Sequence, residues 1–139
     1  MGVVPEAVTA VEPEAPPRVE LRIPADSAYV SVLRTATAGL AARLDFTLDD
    51  IDDLRMAVDE ACGLLLPQAE PDSELTCEFT LASEELRISV TASSAAPRLP
   101  DREGFAWAVL SAVAGAVEAS TGPGRDVTIL IVRKRQAPP

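Results

Sequence analysis

Glu60 has the best claim to acid–base chemistry in this chain. It sits in Asp59-Glu60-Ala61-Cys62, near the end of a helix-like run, LDDIDDLRMAVDEACGLLL, over residues 48–66. A carboxylate there acts as a general base when a reacting group lies within hydrogen-bond reach. One helical turn on, the side chain faces the same way. That side chain is Leu64, which has no oxygen to offer a hard cation. With no metal or nucleotide beside it, Glu60 reads as a polar residue near a helix end, or a remnant base at most.

Other chemistry is narrowly bounded. The chain has no histidine, which removes the commonest general base, the usual serine-triad partner and the commonest zinc ligand. Its two cysteines are too few for a disulfide scaffold. Cys62 falls on the apolar side of its helix, and Cys77 shares strand parity with Leu75 and Phe79, so both read as buried, inert thiols. A redox role would need them close together and accessible. The formal net charge of −10 repels polyanions and argues against direct nucleic-acid binding. The only basic cluster, Arg133-Lys134-Arg135, ends a strand and reads as solvated rather than as a binding patch.

A length of 139 residues suits one domain with a real core, and a hydrophobic fraction of 47% favours a globular fold over disorder. No leader-like opening and no apolar run of membrane-spanning length is visible. No membrane association and a reduced, cytoplasmic setting are the expectations.

These few residues must be positioned by a short series of elements. Residues 1–17 are rich in Pro, Ala, Val and Glu, lack periodicity and read as a disordered tail. The domain spans 18–135, and 136–139 form a short C-terminal tail. Val19, Leu21 and Ile23 alternate with charged residues and predict a strand ended by Pro24. Val30, Leu33, Thr37, Leu40 and Leu44 predict a helix over 27–44, with Asp26 or Ser27 as N-cap. Thr47 and Asp50 resemble a capping box for a second helix. There Ile51, Leu54, Val58, Ala61 and Leu65 line the core face, five aspartates from Asp49 to Asp59 cover the other, and Pro67 closes the helix.

Alternation over 75–81 and 86–92 predicts an antiparallel hairpin. A loop with Pro97 and Pro100 leads to a third helix, from Glu103 or Gly104 to Ala114, with Phe105, Trp107 and Leu110 as its apolar face. Residues 116–120 either extend that helix or form a short strand. After the turn Thr121-Gly122-Pro123-Gly124 the last strand runs over 126–133. Its unbroken Ile129-Leu130-Ile131-Val132 suggests a central strand covered on both faces. This order predicts a two-layer α/β sandwich, with a mixed, mostly antiparallel sheet and helices on one face.

Two segments carry a resemblance: VELRIPADSAYVSVLRTATAGLA, from Val19, and FTLDDIDDLRMAVDEAC, ending at Cys62. In order and spacing they resemble the first strand and first two helices of the RsbW-type anti-sigma regulatory factors, bacterial serine-protein kinases of the GHKL, or histidine-kinase-like ATPase, superfamily. The resemblance covers about residues 18 to 135 and implies a Bergerat-type sandwich. It implies an anti-sigma factor that silences an alternative sigma factor, as in stress responses, and is antagonised by an anti-anti-sigma protein of the STAS type. It also places partner contacts on the first helix, at Ser31, Arg34 and Thr35; for Arg34 the competing reading is a solvated helix arginine. Homodimers are common in the family.

Many members phosphorylate a serine of the antagonist with ATP and magnesium. This chain departs from their motifs. Leu64 stands where the family has the Asn that holds magnesium. Ala92 stands where an Asp reads adenine, and Ser94 where the first glycine of that box would be. The glycine-rich lid is reduced to residues 97–104. The resemblance therefore implies a sigma-factor antagonist without catalytic residues, nucleotide or metal, a pseudokinase. The alternatives are an active kinase with a rebuilt site, and a domain of the same fold with an unrelated partner.

Overall fold

Val19, Leu21 and Ile23 do form a strand, β1 (Arg18–Pro24). The computed structural model describes residues 15–136. Most of the tail read over 1–17, and the last three residues of the C-terminal tail, lie outside the described residues. Pairing reaches one residue before Arg18, because the Leu81 amide donates to the Pro17 carbonyl at 2.9 Å.

The predicted first helix is two pieces. Asp26 accepts the Ala28 amide at 2.9 Å and caps a single 3-10 turn, Ser27–Tyr29. The α-helix α1 (Val30–Arg43) follows and buries Val30, Leu33, Thr37 and Ala41. The Thr37 hydroxyl is satisfied inside the core by donating to the Leu33 carbonyl at 2.7 Å. Helix α2 (Leu48–Leu65) is capped by Thr47, whose hydroxyl accepts the Asp50 amide at 3.1 Å. It buries Leu54, Ala57, Val58, Ala61, Cys62 and Leu65 and ends in a 3-10 turn, Leu66–Gln68, that contains Pro67.

The hairpin is β2 (Glu74–Ala82) and β3 (Glu85–Ser93). Helix α3 (Phe105–Ala114) then leads into β4 (Ala116–Thr121) and β5 (Asp126–Lys134). The stretch left open between helix and strand is thus a strand. Gly115 makes the break: its φ of 90° lies in the left-handed region, and a Cβ there would sit 3.1 Å from the Val132 carbonyl oxygen.

The strands lie in the order β1-β2-β3-β5-β4. Every pairing is antiparallel, so the sheet is not mixed. Leu75, Cys77, Phe79, Leu86, Ile88, Val90, Ile129 and Ile131 face the helices and form the core. The other face is half-exposed and polar, with Thr91 and Thr128 hydroxyls bonded at 2.8 Å and Arg18 paired with Glu78.

Two expectations about the end of the chain need correction. β5 is an interior strand, but its outer face is not covered by a second layer. Leu130 and Val132 stay half-exposed, shielded by their strand neighbours Ser89 and Glu118, and Arg87 and Ala116. Nor is Arg133 solvated. Its Nη2 lies 2.7 Å from Asp50 and 3.4 Å from Asp53, and its Nη1 donates to the Val113 carbonyl at 2.7 Å. Asp50 is therefore not on the solvent side of α2. Its carboxylate turns inward to Arg133 instead of completing a capping box, so one guanidinium joins β5, the start of α2 and the end of α3.

Candidate functional site

Helices α1 and α2 pack side by side, and their facing stripes frame a cleft. From α1 and the turn before it come Ser27, Val30 and Arg34; from α2 and its end come Asp59, Cys62, Gly63 and Leu66. These positions follow the three- and four-residue spacing that aligns one helix face. The cleft has a volume of about 290 Å³. Val30, Cys62 and Leu66 give it apolar walls. At its rim Arg34 Nη1 donates to Asp59 Oδ1 at 2.5 Å.

Of the residues placed on the partner surface by resemblance, Ser31 and Thr35 are exposed, and Arg34 is just over one-third exposed. The three share one side of α1. The structure adds what sequence reading missed: Arg34 is not a free cation but is paired with Asp59 across the helix interface. The sequence places Cys62 on the apolar side of α2 and Asp59 among the aspartates opposite; the structure brings both to the edge that faces α1.

Glu60 points elsewhere. It is half-buried and makes no ion pair or side-chain hydrogen bond among the described residues. One turn on, Leu64 packs against the hydrophobic core. At the end of β3, Ala92 and Ser94 are both buried. The Ser94 amide donates to the Arg125 carbonyl at 2.8 Å, and its hydroxyl accepts the Ala96 amide at 3.3 Å. The segment before α3 is tied down by Gln68, whose amide group donates to the Arg98 carbonyl at 2.8 Å and accepts the Arg98 amide at 2.9 Å. Next to it, the Arg102 guanidinium lies 5.4 Å from the centre of the Trp107 ring. Trp107 and Leu110 are buried as expected, whereas Phe105 is 84% exposed, off their stripe by helical spacing. Among the described residues, no group of three or more His, Cys, Asp or Glu side chains gathers as a metal would need.

The thiols are buried and held neutral. Burial, then the Asp59 carboxylate, pushes Cys62 up to about 12 from an ordinary value near 9, with Arg34 pulling weakly the other way. Burial, then Cys62, raises Cys77 further. A raised folded-state pKa means the stabilisation from keeping these thiols protonated is complete below about 9 and is lost as pH rises towards 12. A chromogenic disulfide reagent at pH 8 is expected to modify neither thiol until the protein unfolds. Rapid labelling of the folded chain would show a thiol accessible and reactive.

The fold is a two-layer α/β sandwich, with the helices on one face of a five-stranded antiparallel sheet. The comparisons give it more particular relatives. The chain is 39% identical over 75 residues to the serine-protein kinase RsbW of Bacillus cereus, and 37% identical over 75 residues to that of Bacillus mycoides. Each match covers 52% of this chain and 47% of the relative, so the chain matches about half the length of these curated relatives. A crystal structure of the RsbU and RsbW domains of a Mycobacterium tuberculosis protein superimposes with a TM-score of 0.68 at 16% identity, over 88% of this chain and 33% of that one. At that identity the likeness is one of fold. No protein-family profile matches the chain. Among the described residues, no helix is long and apolar enough to cross a membrane.

Proposed function

We propose that this chain is an anti-sigma factor: it binds and sequesters an alternative RNA polymerase sigma factor, acts in the cytoplasm, and releases its partner to a competing anti-anti-sigma protein of the STAS type. The observation that carries this reading is the contrast between its two surfaces. The α1 surface, in a fold shared with RsbW domains, presents Ser31, Arg34 and Thr35 to solvent. At the positions that would serve a nucleotide, half-buried Leu64 packs against the core and Ala92 and Ser94 are buried. Release then comes from differential binding rather than from phosphorylation. Homodimers are common in the family that the chain resembles. Pull-down from the source cell followed by mass spectrometry tests the reading; it fails if no sigma factor is held.

The second reading is an active serine kinase using ATP and magnesium. Its support is the kinase activity named for the relatives and the half-buried Glu60, which has no side-chain partner among the described residues. The residues present do not fit that cargo. Leu64 supplies no metal ligand, Ala92 no carboxylate for adenine, and the Gln68–Arg98 tie holds the reduced lid segment down. Each lost charge-assisted contact is worth about 1.5–3 kcal/mol, enough together to move a micromolar site towards millimolar. Calorimetry with magnesium and ATP is expected to give no saturable heat below millimolar concentration. A micromolar isotherm would sink the pseudokinase reading and favour the kinase.

A further inference from the structure

Gly63 is exposed on the last turns of α2, where glycine is the least favourable helix residue after proline. Packing does not require it. A Cβ at this position would meet nothing within 4 Å. It adds no side chain to the α1–α2 cleft that it lines with Arg34 and Asp59. An arginine carries five N–H donors, and among the described residues Arg34 commits only Nη1, to Asp59. The cleft therefore offers apolar walls, Val30 and Leu66, beneath a guanidinium with donors to spare. That combination fits one extended acidic side chain, its methylene stem on the walls and its carboxylate on Arg34. Asp59 is the obstacle, a like charge already holding the same cation.

We propose that Gly63 and Asp59 set the specificity of the partner surface. Gly63 keeps open a socket between α1 and α2 for one acidic partner side chain, and Asp59 competes with that side chain for Arg34. The inference rests on the anti-sigma reading and names two residues outside the α1 surface that the resemblance marks. Asp59 makes the socket selective, because a weakly placed carboxylate does not displace it. It also makes the complex easier to dissolve, since Arg34 has a partner waiting when the sigma factor leaves.

The test titrates the purified sigma factors of the source cell, one at a time, against the wild-type chain, Gly63→Met and Asp59→Asn, with a melting curve for each variant. Gly63→Met fills the socket from an open helix position. It is expected to weaken binding at least about tenfold without lowering the melting temperature. Asp59→Asn keeps an oxygen for Arg34 and removes the competing charge. It is expected to tighten binding about three- to tenfold. A Gly63→Met chain that binds like wild type overturns the socket. An Asp59→Asn chain that binds more weakly overturns the competition and makes Asp59 a contact for a partner cation. If the wild-type chain binds none of the sigma factors, the anti-sigma reading falls and this inference falls with it.

Discussion

Arg34→Glu is expected to lower affinity for the sigma factor by about 2 kcal/mol or more, roughly thirtyfold. Two effects combine. The variant loses the guanidinium that an interface carboxylate would use, and it sets a second carboxylate against Asp59 on the same rim. Folding should suffer far less. The Arg34–Asp59 pair is one-third to one-half exposed, and such pairs contribute about 0.2–1 kcal/mol. The melting temperature should therefore fall by only a few degrees, and Arg34→Lys, which keeps charge without the planar fork, should bind between the two. Titration of the purified sigma factor against the three proteins reads this directly. Unchanged affinity in Arg34→Glu would mean that the α1 surface is not the contact, leaving the assignment to fold resemblance alone.

Arg133→Met is expected to destabilise the domain by about 3 kcal/mol, with a fall of roughly 10 °C in melting temperature. The Arg133 side chain is 15% exposed and that of Asp50 10%, so removing the guanidinium strands a carboxylate away from water and leaves the Val113 carbonyl without its donor. Replacing both partners, Asp50→Leu with Arg133→Met, should recover most of the loss, because a buried pair exchanged for apolar side chains of similar size is close to neutral. Denaturant unfolding of the single and double variants gives the comparison. A loss below 1 kcal/mol in the single variant would show the pair to be open to solvent.

These two arginines also mark the limit of what the sequence disclosed. Periodicity was sufficient for the strands over 18–24, 75–81 and 86–92 and for both long helices, because one face of each is buried and alternates cleanly. It did not reveal what Arg34 and Arg133 touch. Asp59 is 25 residues from Arg34, and Asp50 is 83 from Arg133, and only the packing of α1 on α2 and of β5 beneath α2 brings them together. The composition of residues 116–120 suits either helix or strand; the backbone turn at Gly115 decides it. Phe105 was misplaced by hydrophobicity, although Trp107, Leu110 and Ala114 already defined a stripe that excludes it. Leu130 and Val132 misled because an apolar run looks the same whether a second layer or neighbouring side chains shield it. At the candidate site, Ser31, Arg34 and Thr35 came from the resemblance, while the cleft beside them needed coordinates.

The double hydrogen bond between Gln68 and Arg98 has a kinetic consequence. Two neutral bonds of about 1 kcal/mol each favour the closed arrangement by about 2 kcal/mol, so the segment before α3 would be open only a few per cent of the time. The Arg98 amide should then exchange with solvent about thirtyfold more slowly than an unprotected one. A segment held this way is a wall rather than a door. Any molecule that docks against this segment would meet a surface already in its final shape and lose little ordering entropy there.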